Sequence, residues 1–256
     1  EAVFENGTNQ GNISDACGIT SVTYIDVANG TCPTTVTRTW TISDACGNSS
    51  TCIQTITVDD TVLPTVTACA VTRNVNGCNT SAITDPPFSA TTATSSEAVF
   101  ENVTNQGNIS DACGITAVTY IDVASGTCPT VVTRTWTITD ACANISTCNQ
   151  TININDLAPS ISACAVTRNI EGCSTAAITG PAYSTVTATS NEAEFENATN
   201  QGNATDACGI TSVTYIDVSS GSCPTVVTRK WTVTDACGST ATCNQIINVD
   251  DNIAPS

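Results

Sequence analysis

Sixteen cysteines recur in a fixed order along the 256 residues, and that order limits the chain to a string of similar, cross-linked modules. Cys17, Cys32, Cys46 and Cys52 return as Cys113, Cys128, Cys142 and Cys148, then as Cys208, Cys223, Cys237 and Cys243. Cys69 and Cys78 return as Cys164 and Cys173. The text around them repeats too: EAVFENGTNQGNISDACGIT from Glu1 is rewritten with few changes from Glu97 and Glu192, about 95 residues apart. A catalytic centre needs to be written once. A structural module is written as often as length or valency demands.

The period slips at one place. Cys52 and Cys69 are 17 apart, whereas Cys148 and Cys164 are 16 apart, across VDDTVLPT and INDLAPS. An Asp-containing run ending in an X-Pro step makes an extended, semi-rigid connector. The expected modules are therefore 1–62, the C-terminal portion of a repeat, then two complete repeats, 63–157 and 158–256.

Within a module the pattern has the two-residue period of β structure. VVTRTWTITD sets Val132, Arg134, Trp136 and Ile138 on one face and Thr133, Thr135, Thr137 and Thr139 on the other. Lys230 falls on the threonine face of the third copy, which marks that face as wet. GITAVTYIDV and TCNQTININ read as neighbouring strands. Asn76-Gly77 reads as a hairpin turn after an opening strand ACAVTRNV. About seven short strands per module predict an all-β fold of tandem immunoglobulin-like sandwiches, stapled by disulfides. The three tryptophans, Trp40, Trp136 and Trp231, alternate in phase with Val and Ile and are expected as core plugs. Arg38, Arg134 and Arg229 share that apolar face, so each needs a carboxylate, for which Asp26, Asp122 and Asp217 on the adjacent strand are candidates.

DACG before a strand, then TRTWTITDACANISTC, then the closing TININDLAP resemble HYR-type (hyalin repeat) modules and related immunoglobulin-like repeats of giant cell-surface adhesins of Bacteroidota. The resemblance spans essentially the whole chain. It implies extracellular adhesion or spacing and supplies no catalytic residues. Cys128 and Cys142 are additional to the usual HYR pattern, so no disulfide map transfers from it.

Strand geometry therefore has to limit the sulfur pairing. The strand from Thr130 to Asp140 spans roughly 33 Å when extended, far beyond the roughly 7 Å allowed between disulfide Cα atoms. Cys128 thus cannot reach Cys142 or Cys148. An up-and-down reading puts Cys78 and Cys128 at one pole and Cys69, Cys113, Cys142 and Cys148 at the other. The expected bonds are Cys78–Cys128 and Cys173–Cys223. Three pairings stay open for the remaining four in each module, with Cys142–Cys148 plus Cys69–Cys113 preferred, and Cys237–Cys243 plus Cys164–Cys208 in the third copy. Cys32 is expected to find no partner within the chain. Zinc is disfavoured by the wide gap in DACGNSSTC and by the lack of His.

Carboxylates gather around each connector. Asp59, Asp60, Asp111 and Asp140 belong to one junction and Asp156, Asp206 and Asp235 to the next; they are candidate calcium ligands, against a plainer role as turn caps. Sequons place candidate glycan sites at Asn6, Asn12, Asn102, Asn108, Asn197 and Asn203, and Asp60-Thr61-Val62 offers Thr61 for O-glycosylation.

The formal net charge of −17 with six basic residues excludes nucleic acid as a partner and disfavours anionic lipid. The cysteine load points to an oxidising, extracellular setting. No segment has the roughly 20 apolar residues of a membrane-spanning helix. With no His to act as base and the thiols expected to be oxidised, the chain reads as a non-enzyme. The expected role is structural: a rigid stalk or fibre of a cell-surface adhesin or filament, whose partners are neighbouring repeats or identical subunits. The alternative is a binding module that grips surface glycan or protein through loops at one pole of each sandwich.

Overall fold

The structure is a computed structural model that describes residues 2–254. Its contacts gather into two compact units. One holds the chain up to Ala70 with Ala93–Tyr120 and Thr135–Cys148; the other holds Val71–Thr92, Ile121–Arg134 and the chain from Asn149 onward.

The first copy forms three antiparallel strands, β1 (Ile19–Asn29), β2 (Thr34–Asp44) and β3 (Ser49–Val58), in that order. The second copy sets β4 (Thr65–Ala68), β5 (Arg73–Asn76), β6 (Ala93–Ser95), a helical turn α1 (Glu97–Phe100) and β7 (Asn108–Ser110) before the same trio. That trio is β8 (Ile115–Ser125), β9 (Thr130–Asp140) and β10 (Ile145–Asn155). The third copy repeats the plan with β11 (Ser160–Ala163), β12 (Arg168–Glu171), β13 (Ala188–Ser190), α2 (Glu192–Glu196), β14 (Asn203–Thr205), β15 (Ile210–Ser220), β16 (Thr225–Asp235) and β17 (Thr240–Asp250). Each seven-strand set makes a five-stranded sheet, β5-β10-β9-β8-β6 or β12-β17-β16-β15-β13, and a two-stranded one, β4-β7 or β11-β14. The fold is therefore all-β, in disulfide-stapled sandwiches of the immunoglobulin kind.

The alternation in the sequence decides which face is dry. Val132, Arg134, Trp136 and Ile138 are fully buried, while Lys230 is exposed on the opposite face of β16. In the first unit Val66 and Ile109 from the small sheet pack on Trp136 and Ile138. In the second, Ile161 and Ala204 pack on Trp231 and Val233. Each cluster joins the two sheets, which is what makes a sandwich of them.

The repeated stretch that opens each copy supplies a lid for the tryptophan. Ser96 caps α1 by accepting from the Val99 N–H, and Phe100 reaches the Trp136 ring edge-on at 5.2 Å. The chain then turns back against Phe100 so closely that a Cβ at Gly107 would lie 2.2 Å from that ring. Glycine is required there by space. Phe195 and Gly202 repeat this arrangement beside Trp231.

Two strand expectations need correction. ACAVTRNV is not one strand but β4 and β5 with a break between them, and Asn76-Gly77 makes no hairpin. β5 instead pairs parallel with β10, and the Gly77 N–H donates to the Asn155 carbonyl at 2.9 Å. The Asn-Gly signal was local, and pairing with a strand 79 residues away overrode it.

The sulfurs also pair differently from the expectation. Cys69–Cys148 and Cys164–Cys243 bridge the two sheets of one sandwich. Cys32–Cys142, Cys128–Cys237 and Cys78–Cys208 each tie one sequence copy to the next. Every one of these bonds lies inside a single compact unit.

Cys142–Cys148 and Cys237–Cys243 do not form, because Cys243 stands opposite Trp231 in the β16–β17 register and so faces the core, where Cys164 waits beyond β11. Cys69–Cys113 and Cys164–Cys208 fail with them, since Cys69 and Cys164 are already taken. Cys78–Cys128 and Cys173–Cys223 fail because β10 and β17 run between the members of each pair in the sheet. Cys78 and Cys128 bond to Cys208 and Cys237 instead, and Cys173 and Cys223 are free thiols. Cys32, expected to be alone, is bonded to Cys142.

Candidate functional site

The chemistry of this chain concentrates where one copy meets the next. At each such place the connector leaves the end of β3 or β10, and two DACG-type turns of the following copy receive it. Those turns are built by their aspartates: Asp111 Oδ1 accepts the Cys113 N–H at 2.7 Å, and Asp140 Oδ1 accepts those of Cys142 and Asn144 at 2.8 Å. An Asp two residues before a cysteine thus fixes the loop and aims the sulfur.

In the first unit, Asp60, Asp111 and Cys113 bring their ligand atoms within 4.8 Å of one another. The Asn144 amide ties this group together, donating to Asp140 Oδ2 at 2.8 Å and to the Asp60 carbonyl at 3.0 Å. Burial pushes the Asp140 carboxyl up, but the hydrogen bonds from Asn144, Cys142 and Ala143 prevail and hold it below the usual carboxylate range. A hydrogen bond to the Asp60 carboxylate, with burial, pushes the Cys113 thiol up. Asp59 is absent from this cluster and lies instead beside the Cys32–Cys142 cystine.

In the second unit, Asp156 abuts the Cys78–Cys208 cystine. A cavity of about 220 Å³ opens here, lined by Cys78, Cys128, Asn155, Asp156, Cys237 and Ser239 among others. Ser239 occupies the position of Asn144 and has no amide to give. Asp235 is 2 % exposed, and its Oδ2 and that of Asp156 receive no donor group, the two carboxyls lying within hydrogen-bond reach of each other. Burial and the negative charges of Asp206 and Asp235 push the Asp156 carboxyl up. Asp206 and Asp235 thus act on Asp156 through their charge, but among the described residues the ligand atoms gathered within 4.8 Å at this junction are those of Cys78, Asp156 and Cys208, not of the three carboxylates.

The arginine pairs match the sequence expectation. Arg134 Nε and Nη2 donate to the two Asp122 carboxylate oxygens at 2.7 and 2.8 Å, and both side chains are fully buried. The Pro87 carbonyl accepts a further bond from Arg134, and the Ser89 N–H donates to Asp122, so the segment between β5 and β6 seals the pair. Arg229 and Asp217 repeat this with Pro181, Ala182 and Ser184.

Of the candidate glycan sites, Asn6, Asn12, Asn108, Asn203 and Thr61 are exposed, and Asn102 and Asn197 are half-buried. Asn6, Asn102 and Asn197 each spend their side-chain oxygen on two backbone N–H groups of the following turn. Sequence reasoning missed the copy-to-copy cystines and the Asn144/Ser239 difference. The signal was available: cysteines left over in one copy match those left over in its neighbour.

No family model matches the sequence, and no curated protein matches it. Among solved structures the chain is similar to the extracellular cadherin domains 1–4 of protocadherin gamma B7, at 9 % identity, TM-score 0.26, over 86 % of this chain and 58 % of that one. It is likewise similar to domains 3–6 of protocadherin gamma B2, at 12 % identity, TM-score 0.30, over 85 % and 60 %. A third is domains EC1-2 of human mucin-like protocadherin, at 13 % identity, TM-score 0.26, over 73 % and 98 %. The chain thus spans about three fifths of the first two.

Proposed function

We propose that this is a structural, non-enzymatic extracellular repeat protein, a stalk or fibre of a cell-surface adhesin or filament in which consecutive modules are locked to one another. The modules of this reading are 1–62, 63–157 and 158–256. The observation that carries it is the set of cystines running from one copy to the next, Cys32–Cys142, Cys78–Cys208 and Cys128–Cys237. A flexible string of independent domains has no use for such bonds; a stiff element does, because they add covalent tethers beside the peptide connector, one at the first junction and two at the second. The test is small-angle scattering of the chain before and after mild reduction. A maximum dimension that shortens and a flexibility that rises on reduction support the reading, and identical curves overturn it.

A hard cation deepens the same reading at the second junction. Calcium beside Asp156, which the sequence offered as a ligand together with Asp206 and Asp235, would relieve the repulsion that those two charges impose on it. A calcium titration should raise the melting temperature, and Asp235→Asn should abolish the shift. No shift in the parent chain removes the cation from the account.

A further inference from the structure

The two junctions carry the same kind of cystine in different electrostatic company. Cys32–Cys142 ties the first copy to the second, and Cys128–Cys237 ties the second to the third through equivalent positions. The receiving turns are alike: Asp140 Oδ1 accepts the Cys142 N–H at 2.8 Å and Asp235 Oδ1 accepts the Cys237 N–H at 2.8 Å. The residue at the end of the outgoing strand is not. Asp59, just past β3, holds its Oδ1 3.8 Å from Cys32 Sγ, and Asp250, at the same position ending β17, holds its Oδ1 3.5 Å from Cys223 Sγ. In the second copy that position is Asn155, seven residues after Cys148 as Asp59 is seven after Cys52.

Access differs as well. Cys128 is exposed, and with Cys237 and Asn155 it lines the cavity of about 220 Å³ at the second junction. Asp156 is the one carboxylate in that wall, and its Oδ1 is turned to the other cystine, 2.7 Å from Cys208 Sγ. Among the described residues, a carboxylate gathers within 4.8 Å of both sulfurs of Cys32–Cys142 and of Cys78–Cys208, and no such group includes Cys128 with Cys237. In the remaining cystines, Cys148 and Cys243 pack against the two cores. A disulfide opens when a thiolate attacks one of its sulfurs, so access and a neighbouring negative charge both govern the rate.

We propose that Cys128–Cys237 is a thiol-exchange site, the cystine that a small anionic thiol such as glutathione opens first, leaving a mixed disulfide on the protein. The inference rests on the reading of the copy-to-copy cystines as stiffening tethers, and it names the one that yields. A glutathione thiolate attacks Cys128 Sγ, the exposed sulfur. A new S–S bond forms there as the Cys128–Cys237 bond breaks, and Cys237 leaves as a thiolate that takes a proton from water. A second glutathione thiolate attacks the glutathione sulfur of the mixed disulfide and releases oxidised glutathione and the Cys128 thiolate. Two electrons thus pass from two glutathione thiols to one cystine, and oxidised glutathione runs the sequence backwards. Cys78–Cys208 still joins the same two copies, so the junction loosens without parting.

The experiment blocks the free thiols of the full chain with N-ethylmaleimide and exposes it to reduced glutathione or to cysteamine at about pH 8. Timed quenches with isotopically heavy N-ethylmaleimide are then mapped by peptide. The expected result is glutathione on Cys128 and heavy label on Cys237 before any other cystine opens. Asn155→Asp should slow that opening about fivefold with glutathione, and much less with cysteamine, whose ammonium offsets the charge of its thiolate. Asp59→Asn should speed the glutathione opening of Cys32–Cys142 by a similar factor. Another cystine opening first, no effect of either substitution, or equal effects with the two thiols overturns the proposal. Failure here leaves the scattering test of the stalk untouched, because that test reads whether the tethers stiffen the chain, not which of them yields.

Discussion

The first copy and the second carry nearly the same β-strand text, yet their arginines live in different worlds. Arg38 and Asp26 meet at 2.7 Å with 20 % and 35 % of their side chains exposed, whereas Arg134 and Asp122 make the same contact with none. Trp40 and Trp136 are both buried, but around the first pair Tyr24 and Ile25 lie open, whereas Tyr120 is buried. The difference is the segment between β5 and β6, whose Pro87 and Ser89 close over Arg134. An ion pair is a surface ornament or a buried structural element according to what covers it, not according to its own residues.

Substituting equivalent positions in the two copies tests this directly, read out by peptide-resolved hydrogen exchange. Arg134→Ala should produce the largest effect, a local destabilisation of about 3–5 kcal/mol from stranding Asp122, while Arg38→Ala leaves protection near β2 little changed. Equal responses in the two copies would break the comparison. Cys148→Ser should come next, costing about 2–4 kcal/mol by opening the Cys69–Cys148 bridge, against no loss for Cys52→Ser, whose thiol is exposed and unbonded. Gly107→Ala should cost about 1–3 kcal/mol through overpacking against Phe100. Gly11→Ala faces the same clash at Phe4, but Phe4 is 7 % exposed and freer to shift, so a smaller loss is expected there.

The smallest effects lie at the junctions, where Asn144 and Ser239 make the contrast. Ser239→Asn should raise local protection by about 1 kcal/mol, by giving Asp235 Oδ2 the amide that Asp140 already has. The two junctions should also answer acid in opposite ways. The Asp140 carboxyl is held low in the fold, so its contribution is present above the ordinary carboxylate value and is lost as pH falls through its lowered one. The Asp156 carboxyl is pushed up, so its contribution is present below the ordinary value and is lost as pH rises through its raised one. Protection factors near Asn155 should therefore rise on mild acidification while those near Asn144 hold, then fall in stronger acid. Parallel profiles would sink the assignment.

Sequence alone was enough for the β class, for the dry face Val132–Arg134–Trp136–Ile138, for the Arg–Asp partners and for the repeat itself, because a two-residue period and cross-strand neighbours are local properties of the text. It was not enough for the parallel pairing of β5 with β10 or for a single cystine. Those depend on which strand lies between two others and on which face a cysteine takes beside its neighbour, and sheet order is set by contacts 79 or more residues apart. Only the folded chain decides that Cys78 and Cys128 look past each other, across β10, toward the next copy.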